Sequence, residues 1–217
     1  MQPAVIWDLN GVIIDDMRFH FESFQAYLKQ IGFEMTWEYF VARCTGTPPN
    51  EVFAEILPTI GNPVSIEKAI ERKREIYFEL AGGNMEMLPG VKALMEDLRS
   101  AGFVQAVASG ATRVEIDTIL AEFGIAGHMA AVVACEDVAC GKPDPEPFIT
   151  AAALAGVEPA RCVVIEDGEY GVRGARSCGM KALAVTNTQT REELAAADLI
   201  VGSLEEIDAA RLLALLG

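Results

Sequence analysis

Short apolar runs that each close on a small polar set, with amphipathic segments between them, are the feature that most limits what this chain can become. The first is Ala4-Val5-Ile6-Trp7, ended by Asp8-Leu9-Asn10-Gly11. Phe103 to Ser109 closes on Ser109-Gly110, and Cys162 to Ile165 closes on Glu166-Asp167-Gly168. Ala131 to Cys135, Ala182 to Val185 and Leu199 to Val201 are further runs of strand length. Short, largely apolar strands alternating with helices predict a mainly parallel sheet covered on both faces, a Rossmannoid α/β arrangement. In such a sheet the carboxyl ends of the strands share one edge, and ligands bind along it. Asp8, Asn10, Ser109, Gly110, Glu166 and Asp167 are therefore expected together, with Lys142 of Gly141-Lys142-Pro143 reaching them from the loop after the Ala131 run. Gly11 permits the tight turn that the first strand needs.

A helical stretch separates the first strand from the rest. Met17, Phe21, Phe24, Leu28 and Ile31 recur at steps of four and three, predicting a helix capped by Asp15 or Asp16 and closed by Gly32. A second helix is expected from Asn50 to the residue before Pro58, and a third from Ser65 to Gly82-Gly83. Residues 16–82 thus form an all-helical insertion, and residues 1–15 with 83–217 an α/β core. The insertion is expected to cap the sheet's C-terminal edge.

With 51% hydrophobic residues in 217 and a net charge of −15, the chain can bury a core and lacks the basic face that nucleic acid or an anionic membrane requires. No signal-peptide succession and no membrane-length apolar stretch occurs, which predicts a cytoplasmic protein. Cys44, Cys135, Cys140, Cys162 and Cys178 show no Cys-x-x-Cys spacing and are expected reduced, with Cys135 and Cys162 in strands. The first strand also lacks the G-x-G-x-x-G turn of dinucleotide-binding folds.

The strand ends supply a carboxylate nucleophile, a hydroxyl with backbone donors, an ammonium and a carboxylate pair suited to a hard cation, an inventory that suits phosphoryl transfer. At Trp7-Asp8-Leu9-Asn10-Gly11-Val12-Ile13-Ile14-Asp15, Val107-Ala108-Ser109-Gly110, Gly141-Lys142-Pro143-Asp144-Pro145-Glu146-Pro147-Phe148 and Val164-Ile165-Glu166-Asp167-Gly168-Glu169-Tyr170-Gly171-Val172 the chain resembles the haloacid dehalogenase (HAD) superfamily. Within it, the resemblance is to the helical-cap branch of small phosphatases and β-phosphoglucomutases. It implies that Asp8 attacks phosphorus to form an aspartyl phosphate. It further implies that Mg2+ is held by Asp8, the backbone carbonyl of Asn10, Asp167 and Glu166. Ser109 and Gly110 would bind the phosphoryl oxygens, and Lys142 would join nucleophile to phosphate.

One position departs from that pattern. The branch usually has aspartate two residues after the nucleophile, as general acid and then base, and here that residue is Asn10, whose amide cannot shuttle a proton. Asp15, Asp16 and His20 are the candidates to supply the missing function. His20 is also a candidate substrate contact, or a packing or hinge residue of the helical segment. Thr45-Gly46-Thr47-Pro48-Pro49 and Gly110-Ala111-Thr112-Arg113 stand where the mutases hold a second phosphate, and both departures weaken the mutase reading. The expectation is a Mg2+-dependent hydrolase of a small phosphorylated metabolite, monomeric or a small homo-oligomer. Its alternatives are a β-phosphoglucomutase-like isomerase and a phosphate-ligand binding protein without turnover.

Overall fold

The computed structural model describes residues 2–45 and 47–217, so Gly46 of the Thr45–Pro49 stretch lies outside the described residues. In chain order the elements are β1 Ala4–Trp7, β2 Ile14–Asp15, α1 Met17–Gln30, α2 Trp37–Arg43, α3 Pro49–Thr59, α4 Ile66–Ala81 and β3 Glu86–Met87. There follow α5 Val91–Ser100, β4 Val104–Ala108, α6 Arg113–Glu122, β5 Ala131–Val133, α7 Glu146–Ala155, β6 Cys162–Glu166, α8 Glu169–Ser177, β7 Lys181–Val185, β8 Leu199–Val201 and α9 Ala209–Leu216. The chain divides into two compact units, residues 1–14 with 87–217, and residues 15–86.

In the larger unit a six-stranded sheet runs β5-β4-β1-β6-β7-β8, every pairing parallel. β1 is central, which is why Ala4, Val5, Ile6 and Trp7 are all fully buried and read as an unbroken apolar run. Alternate residues face opposite sides. Ala4 and Ile6 pack with Ala106, Ala108 and Val164 against Phe148 and Ala151 of α7 and Val172 and Ala175 of α8. On the other side Trp7 Nε1 donates to Gln105 Oε1 at 3.1 Å, and Gln105 Nε2 donates to the Met95 carbonyl of α5 at 2.9 Å. Both polar groups buried under the sheet are thereby satisfied.

The smaller unit is helical, with a core of Phe24, Tyr27, Leu28, Phe40, Phe53 and Ile56. α2 was not expected from the sequence; Thr36 caps it by accepting from the Tyr39 N–H. α3 begins at Pro49 and runs through Pro58, which its last turn accommodates. Ser65 caps α4 as expected. Asp16 occupies the cap position of α1 but makes no side-chain cap bond. Its carboxylate, fully buried, instead accepts from the Tyr77 hydroxyl at 2.6 Å. Cys135 is likewise corrected: β5 stops at Val133 and Cys135 lies exposed in a one-turn 3-10 helix, because the backbone there is held by Asp137, which accepts from the Ala134 N–H at 2.8 Å. No helix among the described residues is long and apolar enough to cross a membrane.

Candidate active site

Register places the polar residues. Trp7 pairs with Ile165 on one side and Val107 on the other, so Asp8 comes level with Glu166 and Ala108, and Ser109 lies one step beyond. The ladder continues into the site, with Asp8 N donating to the Ile165 carbonyl at 2.9 Å and Ser109 N to the Val133 carbonyl at 3.0 Å. The site backbone at these two strand ends is therefore part of the sheet and as rigid as it.

Lys142 arrives from the loop before α7. Glu146 orders that loop by accepting from the Ala139 and Cys140 N–H groups at 3.0 and 2.8 Å, and Glu146 N donates to Asp144 at 2.9 Å. Lys142 Nζ then donates to Asp8 Oδ1 and to Glu166 Oε1, each at 2.5 Å. Glu166 Oε2 accepts from the Asp167 and Gly168 N–H groups at 3.2 and 3.3 Å. Ser109 Oγ donates to Asn10 Oδ1 at 3.4 Å and accepts from the Ala111 N–H at 3.1 Å. Gly110 is exposed beside them. Asp8, Asn10, Ser109, Glu166 and Asp167 thus all stand at the strand ends of one sheet, where Lys142 reaches in from its loop to bridge Asp8 and Glu166, and Ser109 bonds Asn10.

His20 belongs to the helical unit. Its Nε2 lies 3.1 Å from Asp16 Oδ2, its Nδ1 2.7 Å from Lys73 Nζ, and its ring stacks on Tyr77 at 4.6 Å. Asp16, with its carboxylate buried, shares in that network; Asp15 is exposed in β2.

Two glycines are dictated by the carboxylates. Gly11 has φ +75°, and a β-carbon there would collide with the Asp167 carboxylate. Gly171 sits inside α8, where a β-carbon would overlap the Glu166 carboxylate. Helix propensity alone makes alanine at such a position better by about 1 kcal/mol. Overpacking against a fixed, buried group costs about 1–3 kcal/mol, and should win. Gly171→Ala is accordingly expected to lower the thermal midpoint; an unchanged or raised midpoint would mean that Glu166 has room to move.

The cluster carries more acid than base. Asp8, Glu166 and Asp167 bring ligand oxygens within 4.8 Å of one another, all three residues buried, against the single ammonium of Lys142. Burial pushes Asp8 up from its ordinary 3.8 to about 7; Lys142 opposes this and Glu166 adds to it. Burial, then Asp8 and Glu166, hold Asp167 well above its usual range. Burial alone would pull Lys142 down, but the Asp8 and Glu166 carboxylates outweigh it and keep the ammonium charged. An all-oxygen, acid-rich, buried donor set is what a hard divalent cation requires, so the residues present fit one.

The sign of a pH effect follows. Between about 4 and about 7 the folded, cation-free chain keeps a proton on Asp8 that the unfolded chain has lost. Stability in EDTA should therefore fall as pH rises through that window, Asp8 contributing up to ~1.4 kcal/mol per pH unit. Urea unfolding of the chain and of Asp8→Asn checks this: the two slopes should differ, and identical slopes would refute it.

Sequence reasoning missed Thr188 and Asn187. The Thr188 hydroxyl donates to Oδ2 of Asp167, and Asn187 Nδ2 donates to the Gly11 carbonyl at 2.8 Å. Both follow β7, so the rule that polar sets cluster at strand ends could have found them.

Comparison with known proteins fits this geometry. A family model described as haloacid dehalogenase-like hydrolase matches residues 5–185. The chain belongs to that family. It is 31% identical over 211 residues to β-phosphoglucomutase of Bacillus subtilis, covering 94% of this chain and 91% of that one, which places it in the β-phosphoglucomutase-like branch. It is 29% identical over 205 residues to the chloroplastic 5-amino-6-(5-phospho-D-ribitylamino)uracil phosphatase of Arabidopsis thaliana, covering 94% of this chain but 55% of that protein, so the chain spans about half of that relative's length. Among solved structures, an aspartate-to-asparagine variant of CbbY from Rhodobacter sphaeroides in complex with xylulose-(1,5)bisphosphate superposes with a TM-score of 0.85 at 25% identity, covering 95% of this chain and 96% of that one.

Proposed function

We propose that this chain is a Mg2+-dependent phosphohydrolase of a small phosphorylated sugar or polyol, working through a phosphoryl group carried on Asp8, with residues 15–86 as the cap that selects the substrate. The observation that carries this reading is the convergence of Asp8, Lys142, Glu166 and Asp167 at one sheet edge. The names of the relatives support the substrate class, since each concerns a phosphorylated sugar or polyol.

Asp8, Glu166, Asp167 and the backbone carbonyl of Asn10 would hold Mg2+, which supplies charge neutralisation for the transferring phosphoryl group. Asp8 attacks phosphorus as the ester P–O bond breaks, and Lys142 offsets the charge gathering on carboxylate and phosphoryl oxygens. Ser109 and the Gly110 N–H orient those oxygens. The departing alkoxide takes its proton from solvent, because Asn10 has none to give. Water then attacks phosphorus, the bond to Asp8 breaks, and inorganic phosphate leaves with Asp8 restored. His20, held between Asp16 and Lys73, orders the helical unit in this reading.

Phosphate release from a panel of sugar phosphates, with Mg2+ and with EDTA, tests the proposal. Release should require the cation and vanish in Asp8→Asn. Equal release from Asp8→Asn would overturn the mechanism, and silence from both the chain and its Asn10→Asp variant would favour the second reading, a ligand-binding protein, which the amide at position 10 supports. An isomerase would instead interconvert sugar phosphates only when primed with a bisphosphate.

A further inference from the structure

The loop after β7, Thr186-Asn187-Thr188-Gln189-Thr190, leaves a strand whose neighbour β6 carries Glu166 to the same edge. Three successive side chains of this loop fasten the acidic cluster. Asn187 ties down the Gly11 carbonyl, Thr188 donates to Asp167, and Gln189 Oε1 accepts from the Glu169 N–H at 2.6 Å. There is no slack between loop and turn, since a β-carbon on Gly11 would also lie 3.3 Å from Thr188 Oγ1.

Lys142 takes Oδ1 of Asp8 and Oε1 of Glu166, two backbone N–H groups take Oε2 of Glu166, and Thr188 takes Oδ2 of Asp167. Of the Asp167 pair, Thr188 engages Oδ2 and leaves Oδ1 to a cation. Mg2+ is small, octahedral and content with single carboxylate oxygens and waters, whereas Ca2+ takes more ligands and gains from carboxylates that offer both oxygens.

Given the cation site proposed above, on which this depends, we propose that Thr188 sets the cation preference of the site: its hydroxyl engages one oxygen of Asp167, leaving that carboxylate a single-oxygen ligand and disfavouring Ca2+ against Mg2+. Thr188 is a positioning residue in this role. It acts through Asp167 and touches neither phosphate nor nucleophile. Asn187 and Gln189 hold the loop so that the hydroxyl stays in register.

The test is binding, read apart from turnover. The full chain and its Thr188→Val, Thr188→Ala and Thr188→Ser variants are stripped with EDTA, dialysed, and titrated calorimetrically with MgCl2 and with CaCl2. In Thr188→Val and Thr188→Ala the affinity for Ca2+ relative to Mg2+ should rise about 10-fold or more, within the range in which groups behind metal ligands usually act. Thr188→Ser, which keeps the donor, should keep the original ratio. A ratio unchanged in Thr188→Val and Thr188→Ala, with the parent chain binding Mg2+, overturns this role for Thr188 and leaves the cation site standing. A parent chain that binds neither cation overturns the site and the role together. Should valine prevent folding, the alanine and serine variants decide by the same comparison.

Discussion

Asn10→Asp should raise the turnover of sugar phosphates by ~10²–10⁴, the usual worth of general acid–base assistance. The gain should depend on the leaving group. An alkoxide leaving without a proton is a poor leaving group, so sugar phosphates should gain most. Aryl and acyl phosphates, whose leaving groups need little protonation, should gain only in the second step, where water must be deprotonated. Stopped-flow measurement on an aryl phosphate should therefore show, for the unaltered chain, a fast release close to one equivalent followed by slow turnover. Steady-state rates across a leaving-group series in both forms check the dependence. A uniform gain for all esters would mean that the new carboxylate assists some other step. No gain anywhere, in a chain that does release phosphate, would mean that proton transfer at position 10 does not limit its turnover.

Lys142→Met should produce the largest loss of stability of any single exchange at the site. Lys142 is the ammonium that both Asp8 and Glu166 contact, each at 2.5 Å, and the two carboxylates are almost wholly enclosed. Removing one partner of a buried ionic set typically costs about 3–5 kcal/mol, because the charge left behind is neither solvated nor paired. The deficit should be greatest at pH 8 in EDTA. It should shrink at pH 5, where the carboxylates are free to take up protons, and on adding Mg2+, which replaces the lost positive charge. Urea denaturation in those three conditions measures it. Phosphoryl transfer should fall at least ~10²-fold even with Mg2+ present, since the charge that lies beside the nucleophile is gone. A variant as stable as its parent in EDTA at pH 8 would show that Asp8 and Glu166 do not share their charge with Lys142.

The sheet was legible because parallel strands buried on both faces leave a plain mark, a short run that is almost wholly apolar, and because three such runs end in the polar residues gathered at the candidate site. Lys142 was legible from its proline-flanked loop. α2 was not: Trp37-Glu38-Tyr39-Phe40-Val41-Ala42-Arg43 buries Phe40 alone, so its short face shows too little periodicity to stand out. The destination of the Asp16 carboxylate was equally hidden, since a helix-capping position looks the same in sequence whether its side chain caps the helix or reaches Tyr77 sixty-one residues away. Thr188 could be expected at the polar edge because it follows β7, but its pairing with Asp167 needed the strand order, since the adjacency of β6 and β7 brings the two together. Asn10 was read as a chemical departure, and its amide oxygen accepting from Ser109 adds what the sequence withheld, the way the amide faces.

The central sheet is stitched from remote parts of the chain: β1 from residues 4–7, β4 from 104–108 and β6 from 162–166. Pairings that close such long loops form late and slowly. During synthesis Asp8, the proposed nucleophile, therefore precedes Lys142 and Glu166 and stands beside neither until β6 has been made. A nascent or prematurely terminated fragment ending before β6 would expose an apolar β1 with no partner on one side, which makes it a substrate for chaperones and proteases.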